Sequence, residues 1–252
     1  MKPTWSPVKS ATIFLMTTFI LTSAILFPIV QGNPDVYSRK FVVTVNESFF
    51  FGLFTTVKEK QISVDISGSN YDYWHHLRLS KTYHQWSTYV KVARWAIQSG
   101  SETQEIRSVS TQLQALSLSQ EGFVNAVLQI DAQLTYNTRY PGIRHPIEVL
   151  VEGTADCDGF SIFVASILKA AGYSVILIYY AGGGGVSAHM QCGVHLDSSP
   201  TGEGSGWHYT CEGADYYICE CAGQTSNWRT SWRHVGQCPK DYQTQGAQLI
   251  AV

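Results

Sequence analysis

The chain has 252 residues, enough for one medium domain and an appendage. Its 17 basic and 19 acidic side chains leave a net charge of −2, and charged residues make up only 14% of the chain. That balance gives no reason to expect a nucleic acid or another polyanion as partner, and no internal repeat suggests an array.

Lys2 and Lys9 precede Ala11 to Val30, a run without a charged side chain, broken only by Thr, Ser and Pro28. About 20 apolar residues can span a bilayer, and the run exceeds the usual core of a signal peptide, roughly 7–15 residues. Val30-Gln31-Gly32 also offers small residues to a signal peptidase. Residues 1–32 are therefore expected to be a signal peptide or an N-terminal membrane anchor. The remainder should be extracytoplasmic, secreted or membrane-tethered, because the lysines stay inside.

Residues 33–118 read as a strand and helix region packing on the core behind it. Phe41 to Val45 and Ile62 to Ile66 have strand character, the second with period-two alternation. Phe49 to Phe54, between them, should cap a hydrophobic surface, and Asn46-Glu47-Ser48 is a glycosylation sequon. Tyr71 to Ser99 is expected to be mostly helical, with Tyr73, Trp74, Leu77, Tyr83, Trp86, Tyr89, Val90, Ala93 and Ile97 recurring at three and four. Such a stripe packs more often than it grips a ligand. His75, His76 and His84 show no carboxylate or cysteine pattern and read as surface or packing residues. Glu102 to Leu116 is a second amphipathic helix, and Ser119 starts a third that should run to about Arg139.

Residues 119–252 hold the chemistry. Thr154-Ala155-Asp156-Cys157-Asp158-Gly159 leads into Phe160 to Gly172, a run with helical spacing and a glycine at its end. Cys157 thus falls at a helix start, where free N–H groups and the dipole favour a thiolate. The small residues around it would let a substrate backbone approach. Ser174 to Tyr180 is a continuous apolar strand, and Gly182 to Gly185 should form a hairpin tip. From His189 to Leu196 alternation puts His189, Gln191, Gly193 and His195 on one face. Trp207 to Cys211 and Tyr216 to Ala222 form a further hairpin turning through Glu212 to Asp215, with Tyr216, Ile218 and Glu220 on one face. Cys157, His189 and Glu220 can then act as nucleophile, base and orienter. His195 and Asp215 are the understudies. Beyond the hairpin, Trp228 to Gly236 should loop over the sheet and end in a short tail.

Five cysteines remain: Cys192, Cys211, Cys219, Cys221 and Cys238. One disulfide or two could staple the C-terminal hairpin to the tail. Zinc is the weaker competitor, through Cys219-x-Cys221 with His208 or His234, so the reading expects no metal and no cofactor.

Pro141 to Leu196, with Tyr216 to Pro239, resembles the transglutaminase-like superfamily of papain-type cysteine enzymes, particularly its uncharacterised prokaryotic members. The matching pieces are Tyr140-Pro141, Pro146 to Leu150, Asp156-Cys157-Asp158, Gly172-Tyr173, His189-Met190 and Tyr217-Ile218-Cys219-Glu220. Where the family more often has Glu-Thr-Thr or Asp-Pro-Thr, this chain has Glu220-Cys221-Ala222. The resemblance implies an α+β fold: a papain/transglutaminase-like core with the nucleophile helix packed on an antiparallel sheet, preceded by a helical and strand region. It implies attack on amide bonds through a thioester, with protease- or amidase-type hydrolysis favoured and protein crosslinking possible. The partner would be a protein or peptide substrate, with the membrane added if residues 1–32 stay uncleaved. The Cys157 N–H would form half of an oxyanion hole, and Gln133 and Asp158 are the candidates for the remaining oxyanion or substrate contacts. The alternative is a non-catalytic transglutaminase-like module that binds protein or cell wall.

Overall fold

Two long antiparallel strands, β1 (Val36–Phe49) and β2 (Phe54–Ser67), open the described part of the chain. The structure is a computed structural model, and it describes residues 35–49, 54–77, 79, 85–138, 143–202, 204–221 and 232–252. Alternation buries Phe41, Val43 and Val45 on β1 and Ile62, Val64 and Ile66 on β2. Both strands outrun the apolar cores that announced them, because pairing continues through polar positions such as Lys58 to Lys60. The expected cap at Phe49 to Phe54 falls largely outside the described residues.

Three glutamines serve the outer edges of this ribbon. Gln129 Oε1 accepts the Thr44 N–H at 2.7 Å while its Nε2 donates to the Thr44 carbonyl at 3.2 Å. Gln133 makes the same pair with Val42, at 3.0 and 2.9 Å. On the other strand Gln112 accepts from Ser63 N at 3.0 Å and donates to Ser63 O at 2.7 Å.

The aromatic stretch divides into α1 (Gly68–Leu77) and α2 (Trp86–Glu102). Trp74, Ala93 and Ile97 pack inward as expected, whereas Tyr73, Leu77 and Trp86 stay exposed and Tyr83 lies outside the described residues. Next come α3 (Gln104–Gln114), capped by Thr103, and α4 (Gln120–Asp131), capped by Ser119 through the Gly122 N–H at 3.1 Å. α4 stops well short of Arg139. Its continuation forms β3 (Thr135–Tyr136), captured by parallel pairing with β4 (Thr154–Ala155), and Asn137 N donates to Ala155 O at 2.8 Å.

Between them lies α5 (Pro146–Glu152), with proline in its first turn and Gly153 at its end at φ 68°. Its cap is a histidine: His145 Nδ1 accepts the Ile147 N–H at 3.3 Å, and Glu148 accepts the His145 N–H at 2.9 Å. Burial holds His145 down to about 3, so the lone pair that this cap needs stays available. Trp74 stacks on the same ring at 3.5 Å. Arg39 of β1 bonds the Leu150 and Val151 carbonyls at the helix's other end.

The centre is α6 (Cys157–Ala170), buried from Gly159 to Leu168. α2, α3, α4 and α5 pack against it, α1 packs on α5, and a five-stranded antiparallel sheet lies against it through β5 and β6. That sheet runs β7 (His208–Cys211), β8 (Ala214–Cys219), β6 (His189–His195), β5 (Val175–Tyr180), β9 (Ala247–Ala251). β9 corrects the expected tail, since Ala247 to Ala251 pairs with β5 as an edge strand. Val175, Leu177, Met190, Cys192, Val194, Tyr217 and Cys219 join the main core under α6. Ile176, Ile178, Tyr180, Ile218 and Cys238 form a second cluster on the opposite face.

The described residues belong to one compact unit. Among the described residues no helix is long and apolar enough to cross a membrane, and Ala11 to Val30 lies outside them. All six cysteines are free thiols, which corrects the disulfide expectation. The sheet parts Cys219 and Cys221, on the helix side, from Cys238 on the other face, while Cys192 and Cys219 face each other across β6 and β8 as hydrogen-bonded thiols.

Candidate active site

Asp156 caps α6, its Oδ1 accepting the Gly159 N–H at 3.1 Å, and this sets Cys157 in the first turn. Gly159 is required by packing, since a Cβ there would lie 2.7 Å from that of Ala155. It serves the tight approach of β4 rather than of a substrate. One turn of α6 clips the start of β6. Ser161 Oγ donates to the Met190 carbonyl at 3.1 Å, and the Cys157 sulfur takes the Met190 N–H. His189 is the residue before Met190, so this clip brings the strand that carries it to the thiol.

The β6–β8 register pairs Cys192 with Cys219, and one step further sets Glu220 across from Gln191. His189 lies two residues along the same face. Glu220 consequently reaches His189 Nε2 with Oε1 at 3.1 Å and Oε2 at 3.2 Å. Gln191 Nε2 donates to Glu220 Oε2 at 2.7 Å, and Tyr180 OH donates to Gln191 Oε1 at 2.9 Å. Tyr242, at the end of a short 3-10 helix (Lys240–Tyr242), stacks on the His189 ring at 4.5 Å. Glu220 thus holds the Nε2 nitrogen and leaves Nδ1 outside that pairing.

Around the sulfur sit Asp158 and two tyrosines that the sequence did not announce. The Tyr136 hydroxyl, from β3, hydrogen-bonds the Cys157 thiol and meets its backbone N–H. Asp158 Oδ1 lies 3.7 Å from the sulfur, within reach of the S–H, and the Tyr89 hydroxyl bonds the Asp158 carboxyl. Burial pushes the Cys157 thiol up to about 12, with Asp158 and Asp156 adding to it against the Met190 N–H and Tyr136. Burial and two neighbouring carboxylates oppose the thiolate that the helix start favours.

Of the remaining sequence candidates, Asp158 is at the site as a neighbour of the sulfur, a carboxyl whose pKa burial raises. Gln133 is not available to it, because its side-chain amide is committed to both backbone groups of Val42. His195 bonds the Asp215 carbonyl at 3.0 Å, and Asp215 accepts from Thr210 Oγ1 at 2.8 Å on the exposed hairpin. Neither competes with His189 and Glu220. Cys219 and Cys221 are buried in the core, whereas His208 and His234 are exposed, so the zinc pairing is not assembled.

No protein-family model and no curated protein matches the chain. Among solved structures it is similar to LapG of Legionella pneumophila in its EGTA-treated form, at 17% identity over 64% of this chain and 85% of that one, with a TM-score of 0.35. It is similar to a TGase at 16% identity, covering 81% of this chain and 50% of that one, TM-score 0.33. A candidate protease from Parabacteroides distasonis ATCC 8503 gives 17% identity, 81% and 43% coverage, and a TM-score of 0.33. The chain therefore spans half or less of the length of the last two. Its own architecture is α+β, with a cysteine-led helix packed on an antiparallel sheet that presents the histidine and, at its strand end, the carboxylate, the arrangement that the transglutaminase-like resemblance implies.

Proposed function

We propose that the protein is a thiol enzyme that cleaves or exchanges amide bonds through a thioester on Cys157. The observation that supports this reading is the pairing of His189 with Glu220 beside the clip that holds Cys157 against Met190. His189 Nδ1 takes the thiol proton as the sulfur adds to the carbonyl carbon, and the imidazolium returns it to the departing amine. Glu220 holds the tautomer and stabilises the imidazolium. The Cys157 N–H and the Tyr136 hydroxyl are the donors proposed for the carbonyl oxygen, with Tyr136 moving off its resting contacts to admit it. Water as second acceptor gives hydrolysis, an amine gives crosslinking. Hydrolysis is favoured because it needs no second binding site. The substrate class is protein or peptide, met outside the cytoplasm, in keeping with the lysine-flanked Ala11 to Val30 segment.

A second reading, a non-catalytic binding module, is favoured by one observation: the thiol is pushed to about 12 and its N–H is covered by Tyr136. Labelling with a small electrophile at neutral pH separates the two. For an enzyme, Cys157 reacts faster than the other cysteines and His189→Ala slows it roughly 100-fold or more. Labelling that ignores His189→Ala and tracks only bulk thiolate would establish the binding module.

A further inference from the structure

His75, which sequence spacing left without partners, meets two carboxylates of α5. Its Nδ1 lies 3.4 Å from Glu148 Oε1 and 3.4 Å from Glu152 Oε1. All three atoms fall within 4.8 Å of one another. Tyr71, one turn before His75 on α1, donates its hydroxyl to Glu152 Oε1 at 3.2 Å and lies 3.4 Å from the same Nδ1. Each helix contributes an i,i+4 pair, so four polar side chains converge where α1 crosses α5.

The carboxylates are held from behind. Glu148 Oε2 accepts the His145 N–H at 2.9 Å, and Glu152 Oε2 is gripped by Arg144 Nη2 at 2.5 Å. Both Oε1 atoms are left turned toward His75. Outer hydrogen bonds of this kind orient metal ligands and fix the oxygen that each presents. Glu148 is 6% exposed at its side chain, while His75 is 50% exposed, which gives a buried anchor and an open entry. For bonds of 2.0–2.1 Å, the edge of a tetrahedral site is about 3.3 Å. Two of the observed separations already match it.

We propose that His75, Glu148 and Glu152 form a site for a divalent transition-metal ion of the Zn²⁺ class, with Tyr71 steadying Glu152 and solvent completing the coordination. One imidazole and two carboxylates suit zinc better than calcium or magnesium, which prefer oxygen alone. The ion ties α1 to α5 four residues before Asp156. Arg144 extends the tie by donating to the Thr154 carbonyl at 2.9 Å, in the strand that leads into Cys157. The role is structural, a clamp outside the chemistry at the sulfur.

The test uses the full chain, stripped with a chelator and titrated with Co²⁺, because six free thiols could also take zinc. One equivalent should bind with visible d–d absorption and without the near-ultraviolet charge-transfer band of thiolate ligation. Added Zn²⁺ should displace it and raise Tm. His75→Gln, at a half-exposed position that leaves the fold undisturbed, should weaken binding about tenfold or more and abolish the Tm shift. Glu148→Gln should do the same where it folds. An absence of binding, a thiolate band, or binding unchanged in His75→Gln would each overturn the site.

Discussion

Both carboxylate oxygens of Glu220 reach a single ring nitrogen of His189, and Gln191 anchors one of them at 2.7 Å. Glu220→Gln keeps the shape but offers an amide that can turn its donor toward Nε2 and spoil the tautomer. Turnover of an amide substrate should fall roughly 10²–10⁴-fold, and labelling of Cys157 should fall less. Gln191→Met should give a smaller loss, about tenfold, by loosening Glu220. Asp215→Asn on the exposed hairpin should be silent. Steady-state kinetics beside intact-mass labelling check this, and a silent Glu220→Gln would remove Glu220 from the chemistry.

Asp158 raises the thiol that it touches. Asp158→Asn removes that charge while keeping an acceptor for Tyr89. Labelling of Cys157 should then persist to lower pH than in the natural chain. The profile of rate against pH is the measurement, and an unmoved profile would mean that burial alone sets the thiol.

Stability should decline in alkali. Burial raises Cys157 to about 12 and Cys238 to about 11, and pushes Cys192, Cys219 and Cys221 upward as well. A thiol held above its ordinary value, about 8.5, binds its proton more tightly folded than unfolded. Below that value both states are protonated and the contribution is complete. Above it the unfolded chain loses protons first, at a cost of roughly 1.4 kcal/mol per pH unit for each thiol. Tm should therefore drop between pH 8.5 and 10, and Cys157→Ser should flatten the slope by about one proton. A flat Tm across that range would contradict the burial of these thiols.

Gln133→Ala distinguishes two roles. As a tie to β1, its loss should cost about 1–3 kcal/mol through the unsatisfied Val42 groups and leave kcat nearly unchanged. Were it an oxyanion donor, kcat would fall roughly 10²–10³-fold instead. Denaturant unfolding and kinetics on the same variant decide.

What the sequence disclosed was whatever it writes locally. The helical run behind Cys157, the alternation along β6 and the turn expected within Glu212 to Asp215 are all short-range signals, and they put His189 and Glu220 on faces that meet; the turn itself is only Glu212-Gly213, because Ala214 and Asp215 already pair with β7. Alternation also put Gln191 on the His189 face, a signal that pointed to the Tyr180–Gln191–Glu220 chain without naming its partners. Tyr136 and Tyr89 arrive at Cys157 and Asp158 from distant elements, and no spacing encodes that. α4 was overextended because helical periodicity cannot see β4 waiting to pair with Thr135 and Tyr136. Counting cysteines could not reveal that the sheet stands between Cys238 and the pair Cys219 and Cys221.

A two-stranded ribbon has two open sides, each a row of unpaired amides to which another chain could add a strand. Here Gln112 occupies one side, at Ser63, and Gln129 and Gln133 occupy the other, at Thr44 and Val42. Each side-chain amide presents one donor and one acceptor to a single residue, as a neighbouring strand would. The helices thereby supply a counterfeit third and fourth strand, and that stretch of the hairpin is sealed against templated self-association. Replacing these glutamines should then expose a sticky edge, with oligomers or fibres as its cost before any loss of the thiol site.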